Sequence, residues 1–241
     1  MTASRPLAVV LCRPPDAPDS KTRLAREVGR ERARAYYTAC LEAVLGTLGR
    51  AGADIRLAVA GSPVALAPFC ADHAPEADLL RQVGETFAQR QAHEIARGLA
   101  DGYPQVLLCA SDLPVLPPEA VDWALAAGRR GHVGLVPSHD GGYSLLSAPT
   151  PLPVLADVPM SLPDTGHRLA RALAPVLAGA GRRVEVADFT VPDLDVLADL
   201  DSAGPHLAGC HPVAQPTTAV FSVGLPGRPA AGLAAGGGDS R

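Results

Sequence analysis

The 241-residue chain contains no asparagine and one lysine, Lys21, against twenty arginines. No apolar run reaches about 18 residues, which excludes a membrane-spanning helix. Basic blocks are also absent and the net charge is −4, which argues against a duplex-binding surface and its many phosphate contacts. The five cysteines (Cys12, Cys40, Cys70, Cys109, Cys210) are odd in number and form no C-x-x-C pair. They read as buried reduced thiols rather than disulfides or a zinc knuckle. The first six residues are followed by a run of only six apolar residues before Arg13, too short for a secretory signal, so a cytoplasmic protein is expected. No glycine lies between Leu11 and Lys21, which excludes a Walker A loop around Lys21-Thr22.

Alanine, by contrast, is abundant, at 43 residues. Abundant Ala, Arg, Gly and Pro beside scarce Lys and Asn suggest the codon economy of a GC-rich genome. Positive charge is therefore supplied by arginine by default, and the lone lysine asks for a separate explanation.

Residues 7–12 form a continuous apolar run of strand length, ended by the Pro/Asp-rich stretch 13–20. Helical spacing follows over 22–48 with a break at Gly29. Further strands are expected at 55–60, 105–109, 133–136, 143–146 and 183–189, and helices at 86–99, 117–127 and 167–177. This alternation predicts an α/β fold with a mostly parallel sheet and helices on both faces. The expected domain spans 1–208. Residues 209–241 are Gly/Pro/Ala-rich and read as a largely mobile tail, with a strand-like stretch only at 217–223.

Open parallel sheets bind ligands at the carboxyl ends of their strands. Three segments should lie there. Arg13 to Leu24 leads from a strand into a helix and carries Arg13, Ser20, Lys21, Thr22 and Arg23. It suits a phosphate, or else is a solvated basic helix start. Ser111-Asp112 follows a buried strand, where the carboxylate could hold a hard divalent cation or cap the next helix. Asp140-Gly141-Gly142-Tyr143 has turn chemistry and reads either as a hairpin loop or as a place for close backbone approach to a ligand. Near the end, Asp193, Asp195, Asp199 and Asp201 gather within nine residues, either as a metal site or as a capped helix start. His139 is read as a solvated loop residue, His93-Glu94 carries no metal motif, and Tyr36, Tyr37 and Trp123 read as packing.

Taken in order, Lys21-Thr22-Arg23-Leu24, Ser111-Asp112-Leu113-Pro114-Val115-Leu116, Asp140-Gly141-Gly142-Tyr143 and Asp193-Leu194-Asp195 with Asp199 resemble one family. It is the DUF2064, or radical-SAM/selenodomain-associated transferase, group of the GT-A nucleotide-diphospho-sugar transferase superfamily. That group is similar to phospholactate guanylyltransferases and molybdenum-cofactor nucleotidyltransferases. The resemblance covers about residues 7–202. It implies a Rossmann-like GT-A fold whose first loop holds nucleotide phosphates through Lys21 and Arg23, with Arg13, Ser20, Thr22, Arg90 and Ser111 nearby. It implies Mg²⁺ or Mn²⁺ on Asp112 with Asp193 and Asp195, and an acceptor beside Asp140, Gly141, Gly142 and Tyr143. This chain departs from the family pattern at Pro18, Ala110 and Met160, and at Thr86-Phe87-Ala88-Gln89-Arg90, where only Arg90 keeps a charge.

The implied reaction is Mg²⁺-dependent nucleotidyl transfer from an NTP, GTP among the candidates, to a small phosphorylated acceptor with release of pyrophosphate. Lys21, Arg23 and Asp112 would be the catalytic residues. A glycosyltransferase using a nucleotide sugar, and a nucleotide-binding protein without turnover, are the alternatives. No nucleic-acid or membrane partner is expected, and a homodimer is compatible with the sequence.

Overall fold

A computed structural model describes residues 5–202. Strand β1 (Leu7–Cys12) is buried along its whole length because it lies inside the sheet, parallel to β2 (Asp54–Val59) on one side and β4 (Val106–Ala110) on the other. Being covered on both faces, it reads as an unbroken apolar run rather than as an alternation. The seven-stranded sheet has the order β3-β2-β1-β4-β6-β5-β7. In it β3 is Asp78–Arg81, β5 Val133–Pro137, β6 Tyr143–Ala148 and β7 Val184–Val186. Strand β6 runs antiparallel to both β4 and β5. The sheet is thus mixed but mostly parallel, as the sequence predicts.

Two cores follow from the pleat. Val10, Leu57 and Leu107 face one side with α2 (Arg30–Arg50) and α5 (Pro118–Arg129). Leu7, Val9 and Leu108 face the other with α4 (Phe87–Ala100) and α6 (Thr165–Ala178). Helix α4 approaches the sheet so closely that a Cβ on Gly98 would stand 2.6 Å from Val106 and 2.7 Å from Leu7. The expected break at Gly29 separates α1 (Thr22–Val28) from α2. Gly29 has φ +85°, which ends one helix and starts the next.

Thr86 starts α4 with a capping box: its hydroxyl accepts from the Gln89 amide at 3.1 Å, and the Gln89 side chain accepts from the Thr86 amide at 3.3 Å. A segment that departs from the family pattern therefore still starts its helix well.

Sequence spacing gave no sign of three elements. They are α3 (Ala67–His73) with the short 3₁₀ turn before it, edge strand β3, and the 3₁₀ turn Pro153–Asp157. Each is short, and β3 is only partly buried, so none carries a full period of apolar residues. The last strand is shorter than expected, covering 184–186 instead of 183–189. The register slips between Val136 and Pro137, where proline has no amide to continue the ladder. Cys12, Cys40, Cys70 and Cys109 are buried, and Cys210 lies outside the described residues. The proposed tail 209–241 and the strand-like stretch 217–223 also lie outside them. No helix among the described residues is long and apolar enough to cross a membrane.

Candidate active site

The carboxyl ends of β1 and β4 bring Lys21 and Asp112 together. Lys21 precedes α1 with a left-handed backbone (φ 45°, ψ 44°) and has a side chain only 10% exposed. Its ammonium donates to the Asp112 carboxylate, to the Leu194 carbonyl oxygen, and to Asp195 Oδ1 at 3.1 Å. Burial works against this charge, but Asp112 and Asp195 outweigh burial and raise the Lys21 pKa above that of an ordinary lysine. Arg23 reaches the other oxygen of Asp195 at 2.9 Å while staying mostly exposed.

The acidic run 193–201 divides its labour. The Asp195 carboxylate joins Lys21 and Arg23. Asp199 accepts from the amides of Asp195 and Val196 at 2.7 and 2.8 Å, fixing the turn ahead of α7 (Leu197–Ser202). Asp193 faces the cleft, and its pKa is pushed up to about 7 by burial first, then by Asp140, Asp112 and Asp195. The side chain of Asp201 lies outside the description. Asp199 thus braces a helix start, as one reading of this run expects, while Asp193 and Asp195 lie beside Asp112 in the cleft.

Two clefts meet at this cluster. One, of roughly 510 Å³, is lined by Asp112, Asp140, Tyr143, Asp193 and the 160–163 loop. The other, of roughly 390 Å³, is lined by Arg13, Ser20, Lys21, Thr22 and Arg90. Arg23, Ser111, Asp112 and Asp195 border both. The candidate phosphate residues and, Gly141 apart, the candidate acceptor residues thus line adjoining compartments, with Asp112 between them. Arg13 pairs with Asp19, and the Arg90 guanidinium holds Gly84 O at 3.0 Å, Gln82 Oε1 at 3.4 Å and Glu85 O at 3.3 Å.

The turn at 138–142 is built from its own side chains. Asp140 Oδ1 accepts from the Ser138 hydroxyl and, at 2.9 Å, from the Gly142 amide. Gly141 has φ +86°, and a Cβ there would lie 1.7 Å from the Pro163 carbonyl oxygen. Tyr143 donates to Gln91 Oε1 at 2.7 Å, tying the floor of the larger cleft to α4. His139 is exposed, as expected of a solvated loop residue.

Tyr37 escaped the sequence reading as a site residue. Its hydroxyl lies 3.0 Å from Ser111 Oγ and accepts from the Arg13 amide at 3.1 Å, linking the ends of β1 and β4. The usable signal was a tyrosine on the buried face of a helix, since a buried hydroxyl needs a partner.

The donor chemistry suits a hard divalent cation. Asp112, Asp195 and the Leu194 carbonyl converge on one cationic nitrogen, so an oxygen set already holds positive charge here. Among the described residues no group of three or more His, Cys, Asp or Glu side chains is arranged to hold a metal. The convergent set is two carboxylates and a backbone carbonyl.

This sheet order, with the site at the carboxyl ends of its strands, defines an α/β Rossmann-like fold. Residues 44–162, just under half of the chain, match the family model DUF2064, "Uncharacterized protein conserved in bacteria". That span includes the Ser111-Asp112 and Asp140 to Tyr143 motifs, while Lys21 to Leu24 and Asp193-Leu194-Asp195 lie outside it. A protein from Desulfovibrio desulfuricans G20, provisionally named a nucleotide-diphospho-sugar transferase, is 24% identical. The match covers 85% of this chain and 88% of that one, with a TM-score of 0.74. A CMP:2-keto-3-deoxy-manno-octonic acid synthetase complexed with CTP is 17% identical over 83% of this chain and 96% of that one, at TM-score 0.46. The 4-diphosphocytidyl-2C-methyl-D-erythritol synthase of Anaerococcus prevotii is 12% identical over 85% and 99%, at TM-score 0.49. The first of the three shares this chain's fold, and the other two overlap it too loosely to say more. No curated protein matches the chain.

Proposed function

We propose that the protein is a nucleotidyltransferase that moves an NMP from an NTP to a small phosphorylated acceptor. The observation that carries this reading is the meeting of Lys21, Asp112 and Asp195 where the two clefts join. In the reaction an acceptor phosphate oxygen attacks the α-phosphorus of the NTP. The bond from that phosphorus to the oxygen bridging toward the β-phosphate breaks, and pyrophosphate leaves with the electron pair. Such an acceptor oxygen is already anionic near neutral pH and needs no protein base.

The protein's part is then position and charge. The smaller cleft takes the triphosphate, with Arg23 at its border as a planar fork for phosphate oxygens and Arg13, Ser20 and Thr22 along its wall. The larger cleft takes the acceptor beside Asp140 to Tyr143. Asp112 and Asp195, with Asp193 close by, would hold Mg²⁺ or Mn²⁺. That ion supplies neutralisation of phosphate charge and an ordered geometry for the attacking oxygen. Lys21 would stabilise the charge that grows on the transferred group.

A nucleotide-sugar glycosyltransferase is the second reading, favoured by the name of the Desulfovibrio relative. A screen of the four NTPs and several nucleotide sugars against an acceptor panel with Mg²⁺, read by mass spectrometry of intact products, separates the readings. Nucleotidyl transfer yields pyrophosphate and an NMP-bearing acceptor. Nucleoside diphosphate and a glycosylated acceptor would establish the second reading, and NTP binding with no product would leave a binding protein without turnover.

A further inference from the structure

An ammonium carries three N–H donors. All three of those on Lys21 are used, by Asp112, Asp195 and the Leu194 carbonyl. In this state the lysine has no donor left for a phosphate, and the carboxylates expected to hold a divalent cation already hold a monovalent one.

The backbone that carries these acceptors is fixed without help from the lysine. The Leu194 amide donates to the Asp112 carbonyl at 3.0 Å, and Asp199 takes the amides of Asp195 and Val196 at 2.7 and 2.8 Å. Val191, three residues upstream of Leu194, is held by the Ser144 hydroxyl on its carbonyl at 2.6 Å and by its own amide on Pro137 O at 3.0 Å. The Leu194 carbonyl therefore stays in place if the ammonium leaves, Arg23 still holds Asp195, and the backbone keeps Asp112 beside them. The three hard oxygens of this cage are of the kind Mg²⁺ and Mn²⁺ take, completed by water or phosphate. An ammonium and a divalent ion on the same oxygens would repel strongly at contact distance in so buried a place.

We propose that Lys21 is the resident cation of this cage and competes with the divalent ion for Asp112, Asp195 and the Leu194 carbonyl. Entry of the ion expels the ammonium, which then becomes available to phosphate. The Leu194 carbonyl is thereby a cation ligand, a role no side-chain motif could signal. Free protein binds the divalent ion weakly, and nucleotide and ion enter best as one complex, since the phosphates give the expelled ammonium a new partner. The inference rests on the proposed phosphate role of Lys21, but the cation exchange is measured without nucleotide or acceptor.

Two measurements on the full chain test it. Mn²⁺ titration followed by electron paramagnetic resonance compares the wild type, Lys21→Met and Asp112→Asn. Lys21→Met should bind Mn²⁺ at least about tenfold more tightly than wild type, because the competing charge is gone. Asp112→Asn should bind more weakly than Lys21→Met. Equal affinity for wild type and Lys21→Met, or no Mn²⁺ binding by either, overturns the proposal.

The second measurement needs no variant. Because Lys21 is the chain's one lysine, amine acylation read on its proteolytic peptide reports this side chain alone. Saturating Mn²⁺ should speed its labelling several-fold, whereas an unchanged rate overturns the exchange even if Lys21→Met does not fold. Failure of the nucleotidyltransferase reading would appear separately, as absent transfer product with Mn²⁺ exchange intact.

Discussion

The amide of Leu194 donates to the carbonyl oxygen of Asp112 at 3.0 Å, so the two segments that carry the site's carboxylates are stitched together through their backbones. Because this link is independent of side-chain charge, Asp112→Asn should keep the fold while removing an anion from the cluster. Turnover is expected to fall by about 10² to 10³, comparable with the loss of one preorganised charge-stabilising group. Initial rates of pyrophosphate release, with a melting curve beside them, check this, and wild-type rates would remove Asp112 from the mechanism.

Lys21→Arg conserves charge and changes shape. A planar guanidinium cannot place three donors around one point as an ammonium does, so it is a poor substitute both among Asp112, Asp195 and the Leu194 carbonyl and, once displaced, as a compact point charge against the transferred phosphate. A loss of turnover on the order of 10²-fold is expected. Unchanged turnover would mean that the lone lysine is an accident of codon usage.

Tyr37→Phe removes a hydroxyl that joins the Arg13 amide to Ser111. The cost in stability should be about 1 kcal/mol, lowering Tm by about 2–4 °C for a chain of this size. The nucleotide KM should rise as well, because the distance between the phosphate loop and Ser111-Asp112 is no longer set. A stability loss without any change in KM would confine Tyr37 to packing.

Asp193 supplies a pH signature. Burial, with Asp140, Asp112 and Asp195, lifts its pKa from an ordinary 3.8 to about 7. Between those values the folded protein binds more protons than the unfolded chain, so this residue's contribution to stability falls as pH rises from about 4 to about 7. Asp193→Asn should remove that component. Its Tm advantage over wild type should then be larger at pH 8 than at pH 4.5, and a pH-independent difference in Tm would refute the assignment.

Gly141→Ala would force a side chain onto a backbone at φ +86° and against Pro163 O. The left-handed conformation alone costs about 1–2 kcal/mol, and the clash adds to it. The 138–142 turn and the 160–163 loop should separate, widening the acceptor cleft. A raised acceptor KM with an unchanged nucleotide KM is the expected kinetic pattern.

Much of the fold can be read from the chain because its central strands are unbroken apolar runs and its helices carry clear spacing. Lys21, Asp112 and Asp195 could each be named as site residues from their place at strand ends or in the acidic run. Their contact could not, since Lys21 bonds to partners 91 and 174 residues away and no local pattern encodes which charge meets which. Leu194 was invisible for a different reason, because it contributes a carbonyl oxygen, which every residue has. Edge strand β3 and helix α3 were missed because half-exposed elements of one or two turns carry too few apolar residues to show a period.

The family match begins at residue 44, beyond β1. That strand fills the gap between β2 and β4, so a fragment trimmed to the matched span would lose a central plank of its sheet. Two buried strand edges would lie open to pair with other molecules, which invites aggregation rather than a minimal working domain.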